Sequence, residues 1–310
     1  MAAPLVVLGE VHTGLLPSST PLGRVQTFDV LALMPGHSVT WRERPIRLAT
    51  SPAVGVGVDC EVRIGAGTTH IVGTVATRAT LMGGWTLQSS ACTRLLRPND
   101  RRRQTWSHYI SRKGTTEVIG PLPERSTAGA VLADGYLTGP PGKEILDMAA
   151  ISDHLLNRIR FAVELDRRPP LRTRTTRLRW TAGLGGNSGT SVAFHLGAGV
   201  DRTLRITVRT EQELLAVQQF CEDVAAHDWL ITVVTDVLDA VDRYPTQIDS
   251  RLDELTTVLD HLTGLWLPGS SHLPLEVRGL WKGLQNDPGF SRQWALLTGR
   301  VRDKVIAHRK

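Results

Sequence analysis

Lysine and cysteine are both scarce in this chain. Five Lys stand against 31 Arg, so arginine is the default solvent-facing cation and an arginine cluster alone says little about a ligand. The cysteines, Cys60, Cys92 and Cys221, are odd in number, far apart and without CxxC spacing. That excludes a disulfide framework and a zinc site and leaves three small hydrophobes for the interior. No apolar run approaches the roughly 18 to 20 residues that span a bilayer. The opening MAAPLVVLGEVHTG lacks a positive n-region and has only about five apolar residues before Gly9, too few for a signal-peptide core. Membrane insertion and export are not expected, and the chain reads as soluble and cytoplasmic. No HExxH pattern, nucleophile–base constellation or cofactor loop stands out, so neither a metal nor a cofactor is expected.

What is present is a globular composition. The 310 residues are 41% hydrophobic and 21% charged, enough for one large or two medium domains. Before Pro140, β-branched runs alternate with Gly and Pro, the signature of strands and turns, as in LVVLGEVHTGLL, VGVGVDCEVRI and HIVGTVATRATL. The last of these meets Gly83-Gly84 and then WTLQSSACTRLL, which predicts a hairpin. From Lys143 to Leu165 the period changes. Met148, Ile151, Leu155, Ile159 and Ala162 recur at steps of three and four, predicting one amphipathic helix packed on the sheet. The runs TTRLRWTA, TSVAFHLG and TLRITVR, joined by GLGGNSG and AGVD, read as a β-meander with Leu204, Ile206 and Val208 on one face.

Thr210 and Glu213 have the spacing of a capping box, and a helical region opens there. Its first stripe is Leu214, Val217, Cys221 and Val224; its second is Leu230, Val233, Val234, Val237 and Val241, stopped by Tyr244-Pro245. A third helix carries Leu252, Leu255, Leu259, Leu262 and Trp266, and a short fourth carries Leu280, Trp281 and Leu284. A fifth starts at Asp287-Pro288 and carries Phe290, Trp294, Leu297, Val301 and Val305. The expectation is an α+β protein. Residues 1–209 form a barrel-like or sandwich-like antiparallel sheet with one packed helix, 143–165, and residues 210–310 form an antiparallel helical bundle packed against it.

Charge follows the same division. Residues 1–210 carry +11, residues 211–262 carry −10 and residues 276–310 carry +5. Such blocks imply docking of unlike surfaces within the chain, or separate faces for different partners. Two arginine-rich stretches are candidates for anion recognition. One, 94–113, holds Arg101, Arg102 and Arg103 with Trp106 and Tyr109; the other, 167–180, holds Arg172, Arg174, Arg177 and Arg179 with Trp180. Basic residues interleaved with aromatics serve phosphate contact and base stacking. Against this, Arg172 and Arg174 differ in parity from Arg177 and Arg179, so a regular strand puts the two pairs on opposite faces.

The glycine-rich GLGGNSGT lacks the lysine and following helix of a phosphate loop and reads as a hairpin loop. In CEDVAAHDWL, Glu222, Asp223, His227 and Asp228 lie within two helical turns. They read as a surface ion pair, with Trp229 turned to the core. The last helix ends GRVRDKVIAHRK, where Arg302 and His308 resemble the RX4-6H signature of HEPN-type helical ribonucleases. That resemblance implies Arg302 and His308 as residues acting on an RNA backbone. Six positions along one straight helix, however, are about 240° of rotation, which keeps the two apart.

LGEVHTGLLP, WSHY at 106–109, RPPLRTRTTRLRWTAG, CEDVAAHDWLITVV and GFSRQW together resemble an actinobacterial protein family, over nearly the whole chain. The family has no assigned activity. Its members are encoded beside other proteins, one resembling a variant P-loop ATPase, which implies a component of a multi-protein system. The leading expectation is therefore a non-enzymatic adaptor or assembly component that binds another protein. The alternatives are nucleic-acid or phosphate binding through the arginine stretches, and a HEPN-like ribonuclease.

Overall fold

The structure, a computed structural model, describes residues 3–98, 102–139, 142–185, 189–243, 248–266 and 277–308. Ten strands form one sheet: β1 (Val6–Leu15), β2 (Thr40–Arg42), β3 (Leu48–Thr50), β4 (Val54–Ile64), β5 (Gly67–Met82), β6 (Thr86–Leu96), β7 (Thr115–Val118), β8 (Thr176–Leu184), β9 (Ser191–Leu196) and β10 (Asp201–Val208). Their order is β2-β3-β5-β7-β6-β1-β8-β10-β9, with β4 also paired to β5. The sheet is open. It is neither the barrel nor the sandwich that the strand pattern predicts, because helices cover both of its faces and no second sheet or closure is needed to bury them.

The predicted hairpin is β5–β6, turning at Gly83 and Gly84, which hold φ values of 60° and 77°. The two long strands pair near the turn and then splay, and β7 fills the fork, antiparallel to β5 and parallel to β6. The predicted meander is absent. β10 lies between β8 and β9, parallel to β8, so β8 and β9 do not pair as the predicted hairpin; Gly186, Asn187 and Ser188 of its predicted loop lie outside the described residues. Leu204, Ile206 and Val208 explain this. All three are buried on the helical side, so β10 takes the inner position and the half-exposed β9 becomes the edge.

Four helices accompany these strands among the described residues: α1 (Arg24–Leu31), α2 (Trp106–Ile110), α3 (Arg125–Thr138) and α4 (Met148–Arg160). The expectation of one was too few. The 143–165 helix is shorter than its periodicity implies. Glu61 N–H donates to the Glu144 carbonyl and Leu146 N–H to the Glu61 carbonyl, both at 2.8 Å, so the chain runs extended beside β4 before Asp147 caps α4 through Ala150 N–H at 2.9 Å. α3 and α4 cover one face of the sheet, over Leu8, Ile71, Leu95 and Leu87.

The other face belongs to α5 (Glu211–Arg243), α6 (Ile248–Thr257), α7 (Arg278–Asn286) and α8 (Phe290–His308). Thr210 Oγ1 accepts from Glu213 N–H at 3.2 Å, and the Glu213 carboxylate reaches back to Arg209 N–H at 2.7 Å, one residue beyond a standard box. The two stripes read as separate helices are one helix of 33 residues, about 50 Å long. No Gly or Pro interrupts it. The stripe changes because the partner changes: Leu214, Val217, Phe220, Cys221 and Val224 pack on β1, β8 and β10, whereas Val233, Val234, Leu238 and Val241 pack on α6 and α8. Each buried Val, Leu or Phe here contributes about 1.5–3 kcal/mol. After α6 come one π-helical turn, Val258–Leu262, and a 3-10 turn, Thr263–Leu265. α8 starts two residues after Pro288, with Phe290, Trp294, Leu297, Val301 and Val305 buried as its pattern requires.

Candidate functional site

The acidic run of α5 is inside the molecule. Glu222, Asp223, His227 and Asp228 are all buried, which corrects the surface reading, since α5 lies between the sheet and the other helices. Arg78 of β5 grips Glu222 with two bonds, at 2.8 and 2.7 Å, and Ser90 Oγ donates to the same carboxylate at 2.5 Å. Arg202 of β10 pairs with Asp228 at 3.1 Å, and Arg174 pairs with Asp236 at 2.6 Å. The His227 ring sits between Trp266 and Trp281, with centroids 4.3 and 4.7 Å away. Trp229 is fully buried, as its position predicts, and its Nε1 donates to the Arg174 carbonyl at 3.0 Å. Burial pushes the Asp228 carboxyl up, and Arg202 pulls it back only in part.

On the opposite face of the sheet lies a second buried cluster, around Glu10. Arg177 and Arg179 alternate along β8, so both face α3; Arg177 Nε donates to Glu10, and Arg179 Nε stands 3.6 Å from it. The Tyr136 hydroxyl lies 3.3 Å from the same carboxylate, and His12 Nε2 lies 3.5 Å from it. Burial pushes the Glu10 carboxyl up, but His12 and Arg177 outweigh it and hold the group below its ordinary value. The adjacent cavity has about 30 Å³, room for a water molecule and none for a substrate.

The predicted anion-binding residues are thus dispersed. Arg177 and Arg179 serve Glu10, Arg174 serves α5 on the other face, as the parity argument requires, and Arg172 is exposed. In the other stretch, Arg101 lies outside the described residues and Arg102 is exposed. Arg103 pairs with Asp59 of β4 at 2.8 Å and stacks over Trp106, which is 40% exposed. Tyr109 is buried, and its hydroxyl accepts from Gln104 N–H at 3.0 Å. One stretch is anchored on β4, the other on β1 and α5. Arg302 is exposed on α8, which runs unbroken to His308, whose side chain lies outside the described residues.

An open site remains where the first turns of α5 overhang β6 and β7. Its inner part, about 210 Å³, has a floor of Val7, Cys92, Trp180 and Leu214 beneath Arg94, Lys113 and Gln218. An adjoining hollow of about 110 Å³ runs past Pro4, Leu96 and Leu215 toward Arg112 and Glu211. Leu214 is seated on the sheet; Leu215, one step round the helix, is 69% exposed. Trp180, Gly9 and Cys92 form one row across β8, β1 and β6, and Gly9, having no side chain, lets the indole lie over its strand. Burial pushes the Cys92 thiol up to about 12, so it stays protonated at neutral pH and is no nucleophile. A separate 430 Å³ hollow over β8 and β10 is lined by Thr181, Thr207 and Arg205, but that arginine is taken by Asp134 of α3.

The architecture is that of a mixed α/β protein, an open sheet with helices on both faces, and no helix among the described residues is long and apolar enough to cross a membrane. No family model, curated protein or solved structure matches the chain.

Proposed function

We propose that the protein is a non-enzymatic adaptor that holds a partner protein at the cleft between β6–β7 and α5. The observation that carries this is Leu215, 69% exposed at the mouth of an apolar cleft with a basic rim. A contiguous apolar surface rimmed by polar groups marks an interaction site, and Leu215 adjoins Pro4, Leu96 and Leu214 in this one. The buried charges support the same reading: Glu10, Glu222 and Asp228 are each held by arginine, and the volume beside Glu10 admits no substrate.

The test replaces Leu215 with a photo-crosslinking amino acid, p-benzoylphenylalanine, in the native host. Val163, 92% exposed and away from the cleft, serves as the control position. A discrete crosslinked protein at position 215 and none at 163 is expected. Identical patterns at both positions, or none at either, refute the assignment.

A second reading rests on Arg103 stacked over the half-exposed Trp106, a flat cationic surface suited to a phosphate or an unstacked base.

A further inference from the structure

Resting on the adaptor reading, we infer that the cleft recognises a free C-terminal carboxylate carried on an apolar segment of the partner. The Trp180 side chain is fully buried, it lines the inner cleft, and its Nε1–H finds no acceptor among the described residues. A buried donor left without an acceptor costs free energy that an incoming oxygen recovers.

The rim supplies the matching charge. Arg94 makes one side-chain bond, to Thr115 Oγ1 at 3.4 Å, and the Lys113 ammonium meets the Met34 sulfur at 3.7 Å. Neither forms an ion pair with a carboxylate among the described residues. Arg94, Lys113 and Trp180 line the same inner cleft, and a guanidinium, an ammonium and an indole N–H are donor types that a carboxylate accepts from. Glu211 lines the adjoining hollow together with Arg94 and Arg112.

Size selects a chain terminus over a free small acid. The inner space of about 210 Å³ is below the roughly 300 Å³ at which drug-sized sites begin. It holds one or two side chains. The adjoining hollow then carries the chain out past Leu96 and covers Leu215, which a small acid leaves bare. Capture of a C-terminal carboxylate is an established mode of peptide recognition.

The experiment uses the full-length protein and an array of random hexapeptides, each made with a free C-terminal carboxylate and as the amide, with affinities of retained peptides measured by fluorescence anisotropy. Retention of free-carboxylate peptides ending in apolar residues is expected, with at least a tenfold loss on amidation and at least a fivefold loss in Arg94→Gln. In a ¹⁵N spectrum, the indole resonance missing from Trp180→Phe shifts when the free-carboxylate peptide is added and not when its amide is. No retention, equal binding of the two forms, or binding of decanoate without any free-carboxylate peptide overturns the inference. A specific crosslink from position 215 alongside any of those results leaves the adaptor reading standing; loss of that crosslink as well removes both.

Discussion

Trp180 lies across Gly9 so closely that a Cβ at position 9 would fall 2.2 Å from the indole Cε2 and Cζ2. Gly9→Ala must therefore push a fully buried ring off the centre of the sheet. Overpacking of this kind costs about 1–3 kcal/mol. Urea unfolding is expected to show that loss, whereas Gly183→Ala, where a Cβ meets nothing within 4 Å, stays within about 0.5 kcal/mol of the parent.

Arg78 and Glu222 give a second test. Removing Arg78 strands a carboxylate that is 8% exposed, and breaking such a pair costs about 3–5 kcal/mol as a rule. Because Arg78 is itself 27% exposed, about 3 kcal/mol is expected for Arg78→Ala. Arg174→Ala, at a pair more than a third exposed on both sides, is expected to cost under about 1 kcal/mol. A thermal or urea comparison in which Arg174→Ala is the worse variant contradicts this ranking.

The two buried acids should give pH dependences of opposite sign. Glu10 titrates below its ordinary 4.5 in the folded protein, so the unfolded chain takes up its proton first. Its stabilisation is complete above 4.5 and is lost as pH falls through the folded pKa. Asp228 titrates above its ordinary 3.8, so its folded form holds the proton longer, and its contribution declines as pH rises through that higher value. Stability measured across the acid range is expected to fall less steeply toward low pH in Glu10→Gln than in the parent. Asp228→Asn is expected to remove a decline that runs the other way.

Under the nucleic-acid reading, Arg102→Gln with Arg103→Gln weakens oligonucleotide binding by a similar factor for every sequence and flattens its salt dependence by about one unit for each phosphate no longer neutralised. Anisotropy titrations at several salt concentrations check this, and unchanged slopes exclude that surface.

The strands were legible because β-branched runs between glycines have little else to become, and the stripe of α8 because its spacing never wavers. α3 was not. Its segment RSTAGAVLADGYLT holds two glycines that lower helix propensity, yet a Cβ at Gly129 would meet the Leu5 carbonyl oxygen at 2.3 Å and one at Gly135 the Arg63 carbonyl oxygen at 2.2 Å. Close approach to the sheet selected them, and that is a tertiary fact. Glu10 did leave a trace: it shares the parity of Val6 and Leu8 on a strand buried along its whole length, so a charge there had to find a partner. The cleft left none. Its floor and rim come from Val7, Cys92, Arg94, Lys113, Trp180 and Leu214, which no local pattern links.

The continuity of α5 makes residue 210 a poor place to divide the molecule. A fragment ending at 209 bares Leu178, Trp180, Leu204 and Ile206 to water, and one beginning at 210 loses the floor beneath Leu214, Val217 and Phe220. Neither piece keeps a finished interior. The sheet and the bundle are therefore expected to unfold together, as one calorimetric transition, because neither keeps its core without the other.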